Sequence, residues 1–157
     1  YEGEADKLIL TWSDCSGQNY LHFVKFVPTE SLITYNLTGG VGTPYTSDDG
    51  FLTVTGNSDN GSHGIVMKNS STVELKVAGS GKIILGNCQY DNGATVTVTS
   101  SSGATVATKN YTKATSDSEN PGVEIPYEGE ADKLILTWSD CSGQNYLHFV
   151  KIQYPVE

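Results

Sequence analysis

The chain has no arginine, one methionine, three cysteines and five prolines among its 157 residues. Nine lysines face 18 aspartates and glutamates, a formal net charge of −9. An acidic chain without arginine is a poor nucleic-acid binder, because phosphate recognition draws its affinity from clustered Lys and Arg. Long apolar runs are missing too. None approaches the roughly 20 residues of a membrane span, and nothing at the N-terminus reads as a signal peptide, so no membrane insertion is expected. Disorder is disfavoured, since Val, Ile, Leu, Tyr and Thr are frequent and alternate with polar residues. What abounds is small and polar: 16 Ser, 17 Thr, 10 Asn and 17 Gly, well over a third of the chain. This composition points to an all-β protein of the secreted kind, located outside the cell or on its surface.

A repeat dominates the organisation. Residues 1–25 recur without a change at 127–151, an offset of 126. The copies diverge afterwards, Phe26-Val-Pro-Thr-Glu30 against Ile152-Gln-Tyr-Pro-Val-Glu157. Either the chain is a window on a tandem array, opening with the tail of a preceding unit, or a C-terminal segment has been duplicated by design at the N-terminus, so that the chain can fold in two permuted frames. Both divide it alike: 1–25 is a duplicated strand segment, 26–30 a linker and 31–157 one complete module.

Within the module short β-branched and aromatic runs follow one another: Ser31–Leu37, Phe51–Thr55, Gly64–Lys68, Thr72–Val77, Lys82–Asn87, Ala94–Thr99, Ala104–Asn110, Val123–Tyr127, Lys133–Trp138 and Tyr146–Tyr154. Turn signals separate them, among them Gly39-Gly40, Asp49-Gly50, Asn60-Gly61, Gly79-Ser-Gly81, Asn92-Gly93 and Ser102-Gly103. Thr95–Thr99 alternates, so one face is wet and one dry. Ile83-Ile-Leu85 and Leu134-Ile-Leu136 are continuous and suit central strands. No helical period lasts beyond one turn. Such spacing predicts an antiparallel β-sandwich of jelly-roll type with a duplicated terminal strand pair.

Cys15 and Cys141 occupy the same position in the two copies, so one module owns Cys88 and Cys141. Each follows a central apolar strand. If those strands are neighbours, an oxidising setting joins the thiols in a disulfide; two buried free thiols are the alternative. Metal ligation by the pair is disfavoured, since no C-x-x-C occurs and the histidines lack ligand spacing.

His63-Gly-Ile-Val-Met-Lys68, Thr72-Val-Glu-Leu-Lys-Val77, Lys82-Ile-Ile-Leu-Gly-Asn-Cys88-Gln-Tyr90, Ala94-Thr-Val-Thr-Val98, Leu134-Ile-Leu-Thr137 and Tyr146-Leu-His-Phe-Val-Lys-Ile152 form a series. It resembles the non-catalytic β-sandwich modules appended to bacterial pectate lyases, pectin esterases and other polysaccharide-degrading enzymes. The resemblance covers most of 31–154. It implies a fold, and either binding of pectin or another plant or microbial glycan, or spacing of other domains; no sugar-binding residue carries over one by one.

The residues offer little catalytic chemistry. No Gly-x-Ser-x-Gly is present and no spacing sets a nucleophile beside a base. Gly79-Ser-Gly-Lys82 lacks the rest of a phosphate loop and reads as a hairpin turn. Glu124 with Glu128 or Asp132 would be the carboxylate pair to consider, yet their Gly/Pro/Ser surroundings suit solvated charges. The chain is therefore not expected to be an enzyme.

Sugar binding needs aromatic rings facing solvent beside polar groups. Phe51 shares a strand face with Thr53 and Thr55, opposite Leu52 and Val54. Tyr45, Tyr90 with Asn92, and Tyr111 fall in polar loops. Trp138 shares its face with Leu134 and Leu136, which favours core packing, although a strand end leaves room for a platform. Phe51, Tyr90, Asn92, Tyr111 and Trp138 are the carbohydrate-site candidates. The loops Ser47–Gly50, Asn57–Asn60 and Asp117–Glu119 could hold a structural Ca²⁺ through oxygen ligands, though solvated turns suit them better; no other cofactor is implied. Asn36, Asn60, Asn69 and Asn110 head glycosylation sequons of the kind that arise by chance in such a composition.

Two functions fit: a non-catalytic carbohydrate-binding or accessory module of a secreted tandem-repeat polysaccharide-acting protein, or a structural or adhesive repeat that self-associates by strand exchange through residues 1–25.

Overall fold

The computed structural model describes residues 31–89, 93–111 and 122–155. The duplicate 1–25, the expected linker 26–30 and the candidates Tyr90 and Asn92 lie outside them, as does the loop Asp117–Glu119. Ten strands form among the described residues: β1 (Ser31–Asn36), β2 (Tyr45–Thr46), β3 (Leu52–Thr55), β4 (Ser58–Asp59), β5 (Ile65–Met67), β6 (Thr72–Gln89), β7 (Ala94–Thr99), β8 (Thr105–Tyr111), β9 (Val123–Ser139) and β10 (Asn145–Tyr154). A single 3₁₀ turn, Gly61–His63, precedes β5. The protein is all-β and antiparallel. Strands are ordered β4-β5-β10-β6-β9-β7-β8, with β1 on β10, β3 on β6 and β2 on β3.

The long pair β6 and β9 replaces four expected strands by two. Thr72–Val77 and Lys82–Asn87 are one strand, and so are Val123–Tyr127 and Lys133–Trp138. Gly79-Ser-Gly81 is accordingly not a hairpin turn. The ladder runs Gly79 opposite Glu130 and then Gly81 opposite Tyr127, which leaves one extra residue on β9. The Ser80 hydroxyl spans this bulge: it accepts the Gly129 N–H at 3.0 Å and lies 3.0 Å from the Gly129 carbonyl. Backbone groups that the ladder misses there are met by a side chain, so the strands continue.

An extra residue exchanges the faces of a strand, and the burial shows it. On β9, Ile125 and Tyr127 are buried before the bulge, and Leu134, Leu136 and Trp138 after it. On β6, which has no extra residue, Val73, Leu75, Val77, Ile83 and Leu85 stay in one phase. A second bulge falls at His148, between the pairs Leu147–Asn87 and Phe149–Gly86. It moves the buried phase of β10 from Leu147 to Val150 and Ile152.

Those side chains join Leu52, Val54, Val96 and Val98 in one continuous core. Full burial of each large apolar side chain contributes roughly 1.5–3 kcal/mol. Thr95–Thr99 alternates as read, with Val96 and Val98 inside. Gly64 permits the close approach of β5 to β10: its φ is +79°, and a Cβ there would lie 2.2 Å from the Leu147 carbonyl oxygen.

The disulfide expected between Cys88 and Cys141 is not formed, and Cys141 carries a free thiol. Cys141 sits in the turn between β9 and β10, where its N–H donates to Asn69 Oδ1 at 2.9 Å. Cys88 stands opposite Tyr146 in the ladder, and its side chain lies outside the described ones.

Candidate functional site

The alternation Leu52-Thr-Val54-Thr that buries Leu52 and Val54 turns Phe51 outward, where it is 48% exposed. A large ring in water loses burial energy, yet this one is held. Asp49 Oδ1 accepts the Phe51 N–H at 2.9 Å and the Ser47 hydroxyl at 2.6 Å. Asp49 Oδ2 accepts the Tyr35 hydroxyl at 2.9 Å. The Ser47 bond and then the Phe51 N–H hold the Asp49 carboxyl below the usual carboxylate range. Burial, with Asp49 second, pushes the Tyr35 phenol up to about 12. Asp49 therefore acts as a brace for the Phe51 loop, a role its place in an acidic loop also allows without a cation.

Phe51 borders an open depression of about 530 Å³ that Ile33, Lys76, Val77, Ala78 and Tyr154 also line. Lys76 reaches over the Phe51 ring, its Nζ 5.6 Å from the centroid. Tyr154 is fixed at its tip, its hydroxyl accepting the Ala78 N–H at 3.0 Å. The other side of Tyr154 borders a second depression of about 410 Å³, with Lys82, Gln153, Pro126, Tyr127 and Glu128 around it. Lys82 pairs there with Glu124 at 3.0 Å. Tyr154 lines both depressions.

Tyr127 lies deepest. Its hydroxyl is near that of Tyr154 but makes no well-formed hydrogen bond among the described residues. Burial, then the Tyr154 hydroxyl, pushes this phenol far above its ordinary value. Gly81 makes room for it, since a Cβ there would come within 3.1 Å of the Tyr127 oxygen.

Two aromatic candidates move from site to core. Trp138 is fully buried and Tyr111 nearly so, at 7% exposure. Trp138 Nε1 donates to the Tyr111 hydroxyl at 2.9 Å, so these rings satisfy one another inside the fold and offer no face to a sugar. Tyr111 also ends β8 and is not in a loop. The carboxylates have structural occupations: Glu124 pairs with Lys82, and Asp132 Oδ2 accepts the Ser101 N–H at 3.0 Å. Among the described residues no group of three or more His, Cys, Asp or Glu is arranged to hold a metal ion. No helix among them is long and apolar enough to cross a membrane. Asn36, Asn60, Asn69 and Asn110 are all exposed. The side chains of Asn36 and Asn69 are engaged, Asn36 Oδ1 with Thr38 and Asn69 Oδ1 with Cys141.

No family model matches the chain, and no curated protein matches it.

Of the residues lining the first depression, Phe51 alone is a candidate on sequence grounds. Lys76 had a usable signal: the alternation of Thr72–Val77 puts it on the wet face, and Leu52 pairs with Leu75, which sets Phe51 beside Lys76. Tyr154 had none. Its place in the same depression follows from the pairing of β10 with β6, more than sixty residues away in sequence.

Proposed function

We propose that this chain is a non-catalytic carbohydrate-binding or accessory module of a secreted polysaccharide-acting protein, and that its strands form a jelly-roll β-sandwich. The observation that carries the reading is a braced, half-exposed Phe51 that lines one depression together with Tyr154 and the apolar Ile33, Val77 and Ala78, with the Lys76 ammonium over its ring. Pyranose C–H faces pack on aromatic rings, while their hydroxyls need polar groups at the edge. A volume of about 530 Å³ lies within the range of small-ligand clefts. The resemblance of the core-strand series to the modules of pectate lyases and pectin esterases supports the same class. Affinity electrophoresis in gels containing pectin, xylan, cellulose or galactan tests it. Retarded migration in at least one gel, lost in Phe51→Ala, is the expected result; unretarded migration in all four overturns the proposal.

The exact duplication favours a second reading, a structural or adhesive repeat without a small ligand. Residues 127–151 supply most of β9 and most of β10, and an identical segment at 1–25 offers a unit the means to join another. Silence in all four gels together with a mass that rises with concentration supports this reading.

A further inference from the structure

The slot filled by 127–154 is well defined. The latter part of β9 lies on one side of β6 and β10 on the other. Leu134, Leu136, Trp138, Leu147 and Val150 go from it into the core. Residues 1–25 repeat 127–151 of this segment letter for letter, so Leu8, Leu10, Trp12, Leu21 and Val24 match those positions. On local grounds the slot does not distinguish the two copies.

The register of β1 adds a second, independent observation. Ser31 pairs with Tyr154 and Ile33 with Ile152. Subtracting the offset of 126 sets Phe26 at the place of Ile152 and Pro28 at the place of Tyr154. Phe26 is apolar where Ile152 is buried. In that register Pro28 would stand opposite Ser31, and Thr29-Glu30 would be left between them as a loop of two residues. That is the commonest length for a β-hairpin connection. Proline has no N–H, but the closing bond of such a turn needs only its carbonyl, with Ser31 as donor. Nothing in the identity of the two segments requires this arithmetic to close.

We infer that residues 1–28 are a second occupant of this slot in the same chain, forming a hairpin with β1 and competing with 127–154. In that frame β9 is assembled from two pieces, Val123–Pro126 and the copy that begins at Tyr1. The N-terminal occupant joins β1 through two residues, whereas Tyr154 is joined to Ser31 through the whole module. The C-terminal copy in turn continues β9 directly from Pro126, where the N-terminal copy is joined only through the whole module, so each frame keeps one short connection and loop closure does not choose between them. The contacts of Tyr154 favour the C-terminal one: position 154 becomes Pro28, and the bond from the Ala78 N–H to the Tyr154 hydroxyl has no counterpart. The exchange thereby removes the tyrosine that lines both depressions.

The test uses the full chain with a charge at one core position in either copy or in both. Leu136→Asp disables the C-terminal copy, Leu10→Asp the N-terminal one, and unfolding is followed by circular dichroism with mass from light scattering. Both single variants are expected to unfold cooperatively as monomers, and the double variant to show no cooperative transition. Replacing Thr29-Glu30 by Asn-Gly, which favours tight hairpin turns, is expected to raise the midpoint of Leu136→Asp and leave that of Leu10→Asp unchanged. The inference is overturned if Leu136→Asp is as unfolded as the double variant, or if it folds only as an oligomer. A double variant that still unfolds cooperatively, or an Asn-Gly turn without effect on Leu136→Asp, overturns it as well.

Discussion

The carboxylate of Asp49 holds the backbone of Phe51: Oδ1 accepts the Phe51 N–H at 2.9 Å while Oδ2 receives the Tyr35 hydroxyl at 2.9 Å. A carboxylate in a surface loop thus ties an exposed ring to a buried one. Phe51→Ala is expected to leave stability within about 0.5 kcal/mol of the parent, as for most surface substitutions. If the proposed glycan site exists, the same change is expected to lower glycan affinity by about 1–2 kcal/mol, roughly tenfold. Asp49→Ala keeps the ring but releases the loop, and weakens binding without unfolding the domain. Thermal melts and binding isotherms on both variants check this.

Tyr111 and Trp138 give a prediction of the opposite kind. Tyr111→Phe keeps the ring and removes the acceptor of Trp138 Nε1, leaving a buried donor unpaired. Such an orphan costs about 1–3 kcal/mol. Urea denaturation should show that loss, with glycan binding by the folded protein unchanged.

The phenols set the alkaline limit. Tyr35, Tyr111 and Tyr127 all have values raised above the ordinary 10.0, burial being the first cause in each, and Tyr35 reaches about 12. A raised acid stays neutral in the fold while its unfolded counterpart ionises. Its stabilising share is fully present below about pH 10 and is lost as pH rises through the folded value. Melting temperatures should therefore be flat in this respect up to about pH 9 and fall steadily toward pH 12. Tyr35→Phe should make that fall shallower.

Reductant is expected to leave the melting temperature unchanged. A Cys88–Cys141 bond would contribute about 3–4 kcal/mol through the unfolded state, and its reduction would be conspicuous. Burial raises the Cys141 thiol above its ordinary value, so alkylation at neutral pH should be slow and should accelerate with pH.

The sequence made the strand content legible because alternation is local. Leu52 and Val54 inside with Phe51 outside, and Val96 and Val98 inside, follow from a period of two. Trp138 sided with Leu134 and Leu136, as its face implied. The bulges were illegible, because one extra residue at Glu128–Gly129 or at His148 changes no composition; only the opposing strand reveals it. The same blindness split β6 at Gly79-Ser-Gly81, where turn-forming residues serve as a bend whose missing bonds the Ser80 hydroxyl supplies. The cysteines misled for a related reason. Both follow apolar runs in the sequence, but Cys88 lies within β6, and Cys141 sits in the turn after β9 with its N–H donated to Asn69 Oδ1. The candidate site was legible on one side only, Phe51, since Tyr154 arrives through a long-range pairing.

The antiparallel pairing of β1 with β10 sets Ser31 against Tyr154 at one end of the ladder and Asn36 against Phe149 at the other. Tension applied through Ser31 and Tyr154 pulls both strands from the same end. The load then falls on one backbone pair at a time, as in opening a zip, instead of on the whole ladder in shear. β1 would peel away first, and the bond from the Leu37 N–H to the His148 carbonyl would be met only after the strand had parted. The long ribbon of β6 and β9 is not in that line of force. Units strung end to end through these strands would yield softly and lengthen by one strand each, keeping most of their core intact.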